Sequence, residues 1–204
     1  EPLSWGLNST LSKDKATKAI IEKTWKVGGM YSAAISKMVE WLEKAMAVAE
    51  TKEQATALKL LIDYYNTGDL KTWDNYNIAW VKDINSTVDY IYGFIEVYHD
   101  AIGMRAGFES AVEINDPEAS KRMAIIAQNA QWFEDNSPID AMYKKANVVG
   151  ITYKVVNVVM EGGDMSPSTA IGVNLPNAEW IREVHGSKSV SLGNIVDAYN
   201  KDNS

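Results

Sequence analysis

The residues best suited to hold a cationic group in this sequence are Glu96, Asn174 and Asn177. Glu96 stands between Phe94 and Tyr98 in the run Y-I-Y-G-F-I-E-V-Y-H. Read as a strand, that run alternates, and Phe94, Glu96 and Tyr98 share one face with the carboxylate between two rings. Asn174 and Asn177 flank Pro176 in G-V-N-L-P-N. A proline removes a backbone donor and sets φ, so sheet pairing ends on its side. Residues 169–174 are therefore expected to form an edge strand that runs into a bend carrying two amides. An open edge is where an extended peptide adds as a further strand. A carboxylate and two amide oxygens would accept hydrogen bonds from an ammonium group, each worth about 1.5–3 kcal/mol when desolvated. The plainer alternatives are a surface loop between two strands for 169–177 and a solvated sheet face for Glu96.

Other chemistry is scarce. The 204 residues include no Cys, which removes disulfides, thiolate ligands and Cys nucleophiles together. The two His are His99 and His185, and no H-E-x-x-H helix is present. A catalytic zinc normally takes three protein ligands, so a metal site built from this chain alone is not expected. No G-x-S-x-G, P-loop or G-x-G-x-x-G occurs. His99 beside Asp100 reads either as a relay or as an exposed turn pair, the latter being the commoner arrangement. Paired carboxylates could serve a glycosidase, but no spacing shows that two of them meet. A net charge of −7 argues against a nucleic-acid partner, which requires a basic face. No apolar run approaches the ~20 residues that span a bilayer, so no membrane segment is expected. Seven Trp and ten Tyr against three Phe favour half-buried surfaces and grooves.

The elements that must position these residues follow from periodicity. Residues 14–26 carry Ala16, Ala19 and Ile20 at helical spacing and are expected to be a helix ended by Gly28 and Gly29. Tyr31, Ile35, Met38, Val39, Leu42 and Met46 mark a second helix, with Glu40 and Lys44 as an i,i+4 pair. Thr51 and Gln54 form a capping-box signature for a third, which stops at Gly68. Asp69 caps a fourth with Trp73, Tyr76 and Trp80 inward, and these rings are expected in the core. At Val88 the period changes. Residues 90–99 and 107–114 read as a hairpin. Asp116 and Pro117 open a helix, Pro138 to Ala146 adds a short helical turn, and 148–160 reads as a buried strand. Residues 180–183 are expected to be helical, and 189–195 a strand or the entry to a helix. The fold class is α+β: a helical half packed on a partial antiparallel or mixed β-sheet or barrel. Residues 1–87 form the helical region, and 88–204 a strand-rich region with one helix at about 116–135, the whole making one compact fragment. The closing residues 196–204 look cut short.

Four motifs, in order and covering essentially the whole chain, give it a resemblance to the dipeptidyl peptidase III family of zinc exopeptidases. They are W-L-E-K-A at Trp41 to Ala45, F-I-E-V-Y-H-D at Phe94 to Asp100, G-V-N-L-P-N at Gly172 to Asn177, and V-S-L-G-N at Val190 to Asn194. G-L-N-S at Gly6 to Ser9 adds weaker support. The family enzyme has two lobes around a cleft. Its zinc motifs, H-E-x-x-G-H and E-E-x-x-A/G-E, follow the V-S-L-G-N segment and are absent from this sequence. The resemblance implies an internal portion of such an enzyme, mostly its non-zinc lobe, ending before the metal site. Zinc is then the parent's cofactor, with none bound by this chain alone, which is expected to be inactive. The implied partners are short peptides with a free amino terminus and the zinc lobe.

By resemblance, Glu96, Asn174 and Asn177 hold the peptide amino terminus. Tyr98 hydrogen-bonds the scissile carbonyl and stabilises the oxyanion formed there. Thr169, Ala170, Ile171 and Gly172, leading to Asn174, pair with the substrate backbone. Two departures bear on the local subsite: His99 stands where the family often has Arg, and M-R-A-G replaces G-x-R-G while keeping Arg105. The absence of Cys and of a leader favours the cytoplasm. The rival readings are a non-catalytic peptide-binding module or inactive paralogue, and a helical interaction protein with an incidental sheet.

Overall fold

The amino-terminal stretch expected as a helix over 14–26 is a hairpin. In the computed structural model, which describes residues 5–149, 151–166 and 169–202, β1 (Ser9–Lys13) pairs antiparallel with β2 (Ile20–Thr24). The Asp14 carboxylate accepts from the backbone N–H groups of Ala16 and Thr17 and from the Thr17 hydroxyl. Such a local turn competes with a helix. The β-branched Ile20, Ile21 and Thr24 then suit the returning strand.

The next three helices follow the expected spacing: α1 (Ser32–Ala47), α2 (Lys52–Thr67) and α3 (Leu70–Lys82). Thr51 caps α2 by accepting from the Gln54 N–H at 3.0 Å, and Asp69 caps α3 through the Thr72 N–H at 2.8 Å. Gly68 ends α2 with φ of 73°, a conformation glycine adopts without strain. Asn8 of the G-L-N-S motif is buried and donates to the Gly68 carbonyl at 3.0 Å, tying the hairpin to that helix end. Glu40 pairs with both Lys37 and Lys44 on the outer face of α1. Trp73, Tyr76 and Trp80 are buried, as their helical spacing requires.

Five strands make the second sheet: β3 (Val88–Phe94), β4 (Phe108–Asn115), β5 (Ile151–Gly163), β6 (Gly172–Leu175) and β7 (Ser187–Leu192). Their order is β3-β4-β5-β7-β6. β5 and β7 run parallel while β6 and β7 run antiparallel, so the sheet is mixed. Among the described residues it does not close into a barrel. The helices of this part are α4 (Pro117–Gln128), α5 (Ala130–Asn136), α6 (Glu179–His185) and α7 (Gly193–Asp202), with a 3-10 turn at Ala141–Tyr143. Asp116 caps α4 through the Ala119 N–H, with Pro117 in the first turn. Asn129 separates α4 from α5, its side chain donating to the Ile125 carbonyl.

Two strand expectations are corrected. β3 stops at Phe94 rather than running to residue 99. β5 is not buried along its length: Val156 is buried, but Val159 and Met160 are exposed. β7 pairs with β5 only from Ile151 to Val156, so the rest of β5 lacks that neighbour. Asn194 continues the ladder by one step. Its side chain accepts from the Val158 N–H at 3.0 Å and donates to the Val158 carbonyl at 2.9 Å. That is a structural task for the V-S-L-G-N motif.

By internal packing the chain divides into two units. One comprises Glu1–Ser86 and Gly93–Glu109, the other Thr87–Tyr92 and Ser110–Ser204. Among the described residues no helix is long and apolar enough to cross a membrane.

Candidate functional site

Glu96 and Tyr98 belong to the first unit, Asn174 and Asn177 to the second. Around Glu96, the Ile95 N–H donates to the Gly107 carbonyl at 3.1 Å, and the Gly107 N–H donates to the Glu96 carbonyl at 2.8 Å. Two residues thus oppose one, which is the arrangement of a β-bulge. A bulge resets alternation, so the common face expected for Phe94, Glu96 and Tyr98 is corrected. Phe94 is buried, Glu96 half-buried and Tyr98 80% exposed. The Tyr98 hydroxyl is nonetheless hydrogen-bonded to the Glu96 carboxylate. That carboxylate, helped by Glu109, raises the phenol above its ordinary value, so Tyr98 stays a proton donor at neutral pH.

The following turn is organised by Asp100. Its side chain accepts from the N–H groups of Met104 at 2.9 Å and Arg105 at 2.8 Å. The Arg105 N–H leads the causes that hold this carboxyl below its ordinary value. Gly103 takes a φ of 63° inside the turn. Asp100 is thus committed to loop architecture, which favours the turn-pair reading of His99 and Asp100.

At the other locus, β6 is the edge strand, shorter than the 169–174 expected. Pairing begins at Gly172, opposite Ser191, and continues with Asn174 opposite Ser189 and Leu175 opposite Lys188. Thr169 and Ala170 precede the strand and Ile171 lies in a bend. The Thr169 hydroxyl donates to the Glu161 carboxylate at 2.6 Å, which ties this approach segment to β5. A Cβ on Gly172 would lie 2.8 Å from the Val190 carbonyl oxygen, so only glycine fits at the start of the strand. Leu175 and Pro176 are buried, and the bond between them is cis.

Asn174 lies on the other face of β6 from Leu175. Its amide nitrogen donates to the Ser187 hydroxyl at 3.3 Å and to the Ser189 hydroxyl. These bonds leave unused the side-chain oxygen, the atom that an ammonium group needs. Asn174 also lines a cavity of about 610 Å³, together with Arg182, Glu183, Ser187 and the segment 143–149. Asn177 is exposed in the short connection before α6. The two serines were not legible as holders of Asn174, because their alternation on β7 acquires meaning only once the register with β6 is known. Among the described residues no group of three or more His, Cys, Asp or Glu could hold a metal ion. The residues present therefore do not fit a zinc site.

Comparison with known proteins bears on these motifs. The model of peptidase family M49 matches residues 7–204. The chain is similar to dipeptidyl peptidase 3 of Dictyostelium discoideum, with 30% identity over 84% of this chain and 24% of that protein. It is similar to dipeptidyl peptidase 3 of Homo sapiens, with 29% identity over 82% of this chain and 22% of that one. Its fold is similar to the solved structure of DPP III from Caldithrix abyssi, with a TM-score of 0.82 and 25% identity, covering 95% of this chain and 36% of that chain. The chain thus spans about a quarter of the length of the curated relatives it matches.

Proposed function

This chain belongs to peptidase family M49, and from that premise we propose that it is the substrate-holding part of a peptidase that removes dipeptides from the free amino terminus of short peptides. The observation that carries this reading is the edge strand β6, with Asn174 on the face away from Leu175 and its nitrogen engaged by two serines. An extended peptide adds its backbone to such an edge, which accepts many sequences because main chain carries no side-chain information. Asn174 and Asn177 offer amide oxygens to the peptide ammonium, and Glu96 supplies the opposite charge. Tyr98 donates a hydrogen bond to the scissile carbonyl and stabilises negative charge that develops on its oxygen. Thr169 to Gly172 lead the substrate backbone along the edge. Zinc, the parent enzyme's cofactor in this reading, is held outside the described residues, and the chain alone is inactive.

Calorimetry with a tetrapeptide, free or acetylated at its amino terminus, tests the ammonium site. Glu96→Gln is expected to weaken the free-amine peptide about 10- to 100-fold, the equivalent of one charge-assisted hydrogen bond. The acetylated peptide should change little. Equal losses for both would contradict the assignment of Glu96 to the terminus. Incubation of the purified chain with a dipeptidyl arylamide should release no arylamine, and release without added protein would overturn the placement of the metal elsewhere.

A further inference from the structure

Two carboxyl groups and an ammonium are buried in the five-stranded sheet, where the Asn115 N–H donates to the Thr87 carbonyl at 2.9 Å and so sets Glu113 of β4 opposite Asp89 of β3. Asp89 on β3 and Lys188 on β7 form an ion pair at 2.7 Å, their side chains 7% and 1% exposed. Glu113 on β4 is 1% exposed, and its Oε1 has no hydrogen-bond partner. Burial pushes its carboxyl up to about 8; Asp89 and Glu161 push the same way, while Lys188 and Lys154 oppose them. These are the charged groups that face Glu113: Asp89 from β3, Lys188 from β7, and Glu161 and Lys154 from β5. At neutral pH Glu113 is mostly a neutral acid. A second buried carboxylate beside Asp89 would compete for Lys188 and repel its neighbour. The proton on Glu113 prevents that competition.

Lys188 links this cluster to the edge strand. It lies opposite Leu175 of β6, and the residues on either side of it, Ser187 and Ser189, are those that receive the Asn174 amide. A shift of the β7 backbone at Lys188 would carry both hydroxyls with it. We propose that Glu113 is a positioning residue for the peptide-holding edge: in its neutral form it leaves Lys188 on Asp89 and keeps β7 in register beside Asn174, and its ionisation in alkaline solution loosens β6 and β7 together. The consequence for peptide binding rests on the function proposed above for Asn174, whereas the effect on the strands does not.

The test compares amide hydrogen exchange in the full chain with that in Glu113→Gln, which stays neutral at every pH. Comparison at the same pH cancels the intrinsic pH dependence of exchange. At pH about 6 the two proteins should exchange alike over Gly172–Leu175 and Ser187–Leu192. At pH about 9.5 the unsubstituted chain should exchange roughly tenfold faster in those strands. Equal exchange at both pH values overturns the proposal. So does faster exchange spread equally over α1 to α3, since the change is then not local. Glu113→Leu, also neutral, serves the same comparison if the Gln variant does not fold. Peptide affinity forms a second arm. The peptide amine titrates in the same range for both proteins, so the ratio of their affinities isolates Glu113, and that ratio should change about tenfold between pH 7 and 9.5. A constant ratio despite altered exchange would overturn the link to Asn174. Absence of peptide binding by both proteins would overturn the peptide reading, and exchange alone would then decide the positioning role.

Discussion

In the first unit the interior combines aliphatic side chains with packed rings: ring centroids lie 5.0 Å apart for Tyr64 and Trp73, 5.1 Å for Trp73 and Tyr76, and 4.6 Å for Trp25 and Phe94. Where this unit buries the carboxylate of Asp83, the hydroxyls of Thr51 and Ser86 bond it at 3.2 and 2.7 Å. The interior of the second unit holds Ile91, Ala111, Val156 and Leu192, but also the Asp89–Lys188 pair and the Glu113 carboxyl. Packed aromatic rings hold their geometry without a proton to lose at neutral pH, whereas a buried pair depends on each partner and on every proton nearby. The two units thus bury charge differently: the second holds an ion pair and a neutral carboxyl in one sheet, whereas the first buries the carboxylates of Asp83 and Asp74 among its helices.

The sharpest way to break this contrast is to remove one member of each interior. Trp73→Ala should destabilise the first unit by about 3–5 kcal/mol through the cavity it leaves. Lys188→Met, which leaves Asp89 buried without its ammonium, should cost the second unit about 3–5 kcal/mol. The two differ in what rescues them. Adding Asp89→Leu to Lys188→Met should recover most of the loss, because a neutral pair needs no compensation, and urea unfolding of the single and double variants checks this. A double variant no more stable than the single one would contradict a stranded Asp89 charge as the source of the loss.

A smaller effect, on the order of a few kcal/mol, should follow pH. Glu113 keeps its proton in the folded chain up to about 8, but loses it near its ordinary 4.5 when unfolded. Between those values the unfolded state binds fewer protons, so stability falls as pH rises. The contribution is complete below the unfolded value and lost by the folded one. Glu113→Gln removes this slope, so it should gain on the unsubstituted chain from pH 5 to 8.5 in chemical denaturation. A constant difference between the two proteins would contradict a neutral buried Glu113. The smallest effects concern local caps and clamps. Thr51→Ala should cost about 1 kcal/mol in the first unit. Asn194→Ala should cost about 0.5–1.5 kcal/mol in the second by removing its bonds to the Val158 backbone, and thermal melts measure both.

Legibility divides in much the same way. Helices α1 to α3 were readable because their signals are local: Thr51 and Asp69 each cap an N–H three residues on, and Trp73, Tyr76 and Trp80 recur at helical spacing. The edge character of β6 was readable from Pro176, although its length was not, since Gly172 begins pairing only where β7 meets it. The hairpin of β1 and β2 was missed because a helical spacing of small residues gave no weight to the Asp14 turn. The face of Glu96 was misjudged because the bulge depends on Gly107, which alternation along one strand does not contain.

By itself the sequence determined the membership of the chain in its family, the caps and apolar faces of its first helices, and the chemical types available for a peptide terminus. These are properties of residues a few positions apart, or of motifs compared one by one. The tertiary structure alone decided that Asn174 rests on Ser187 and Ser189, and that Asp89 meets Lys188 across 99 residues of chain. It likewise decided that Glu113 is shut away from water beside them. The physical reason is that strand register and burial set the distances and the solvent exclusion on which hydrogen bonds and proton affinities depend, and no local pattern encodes either.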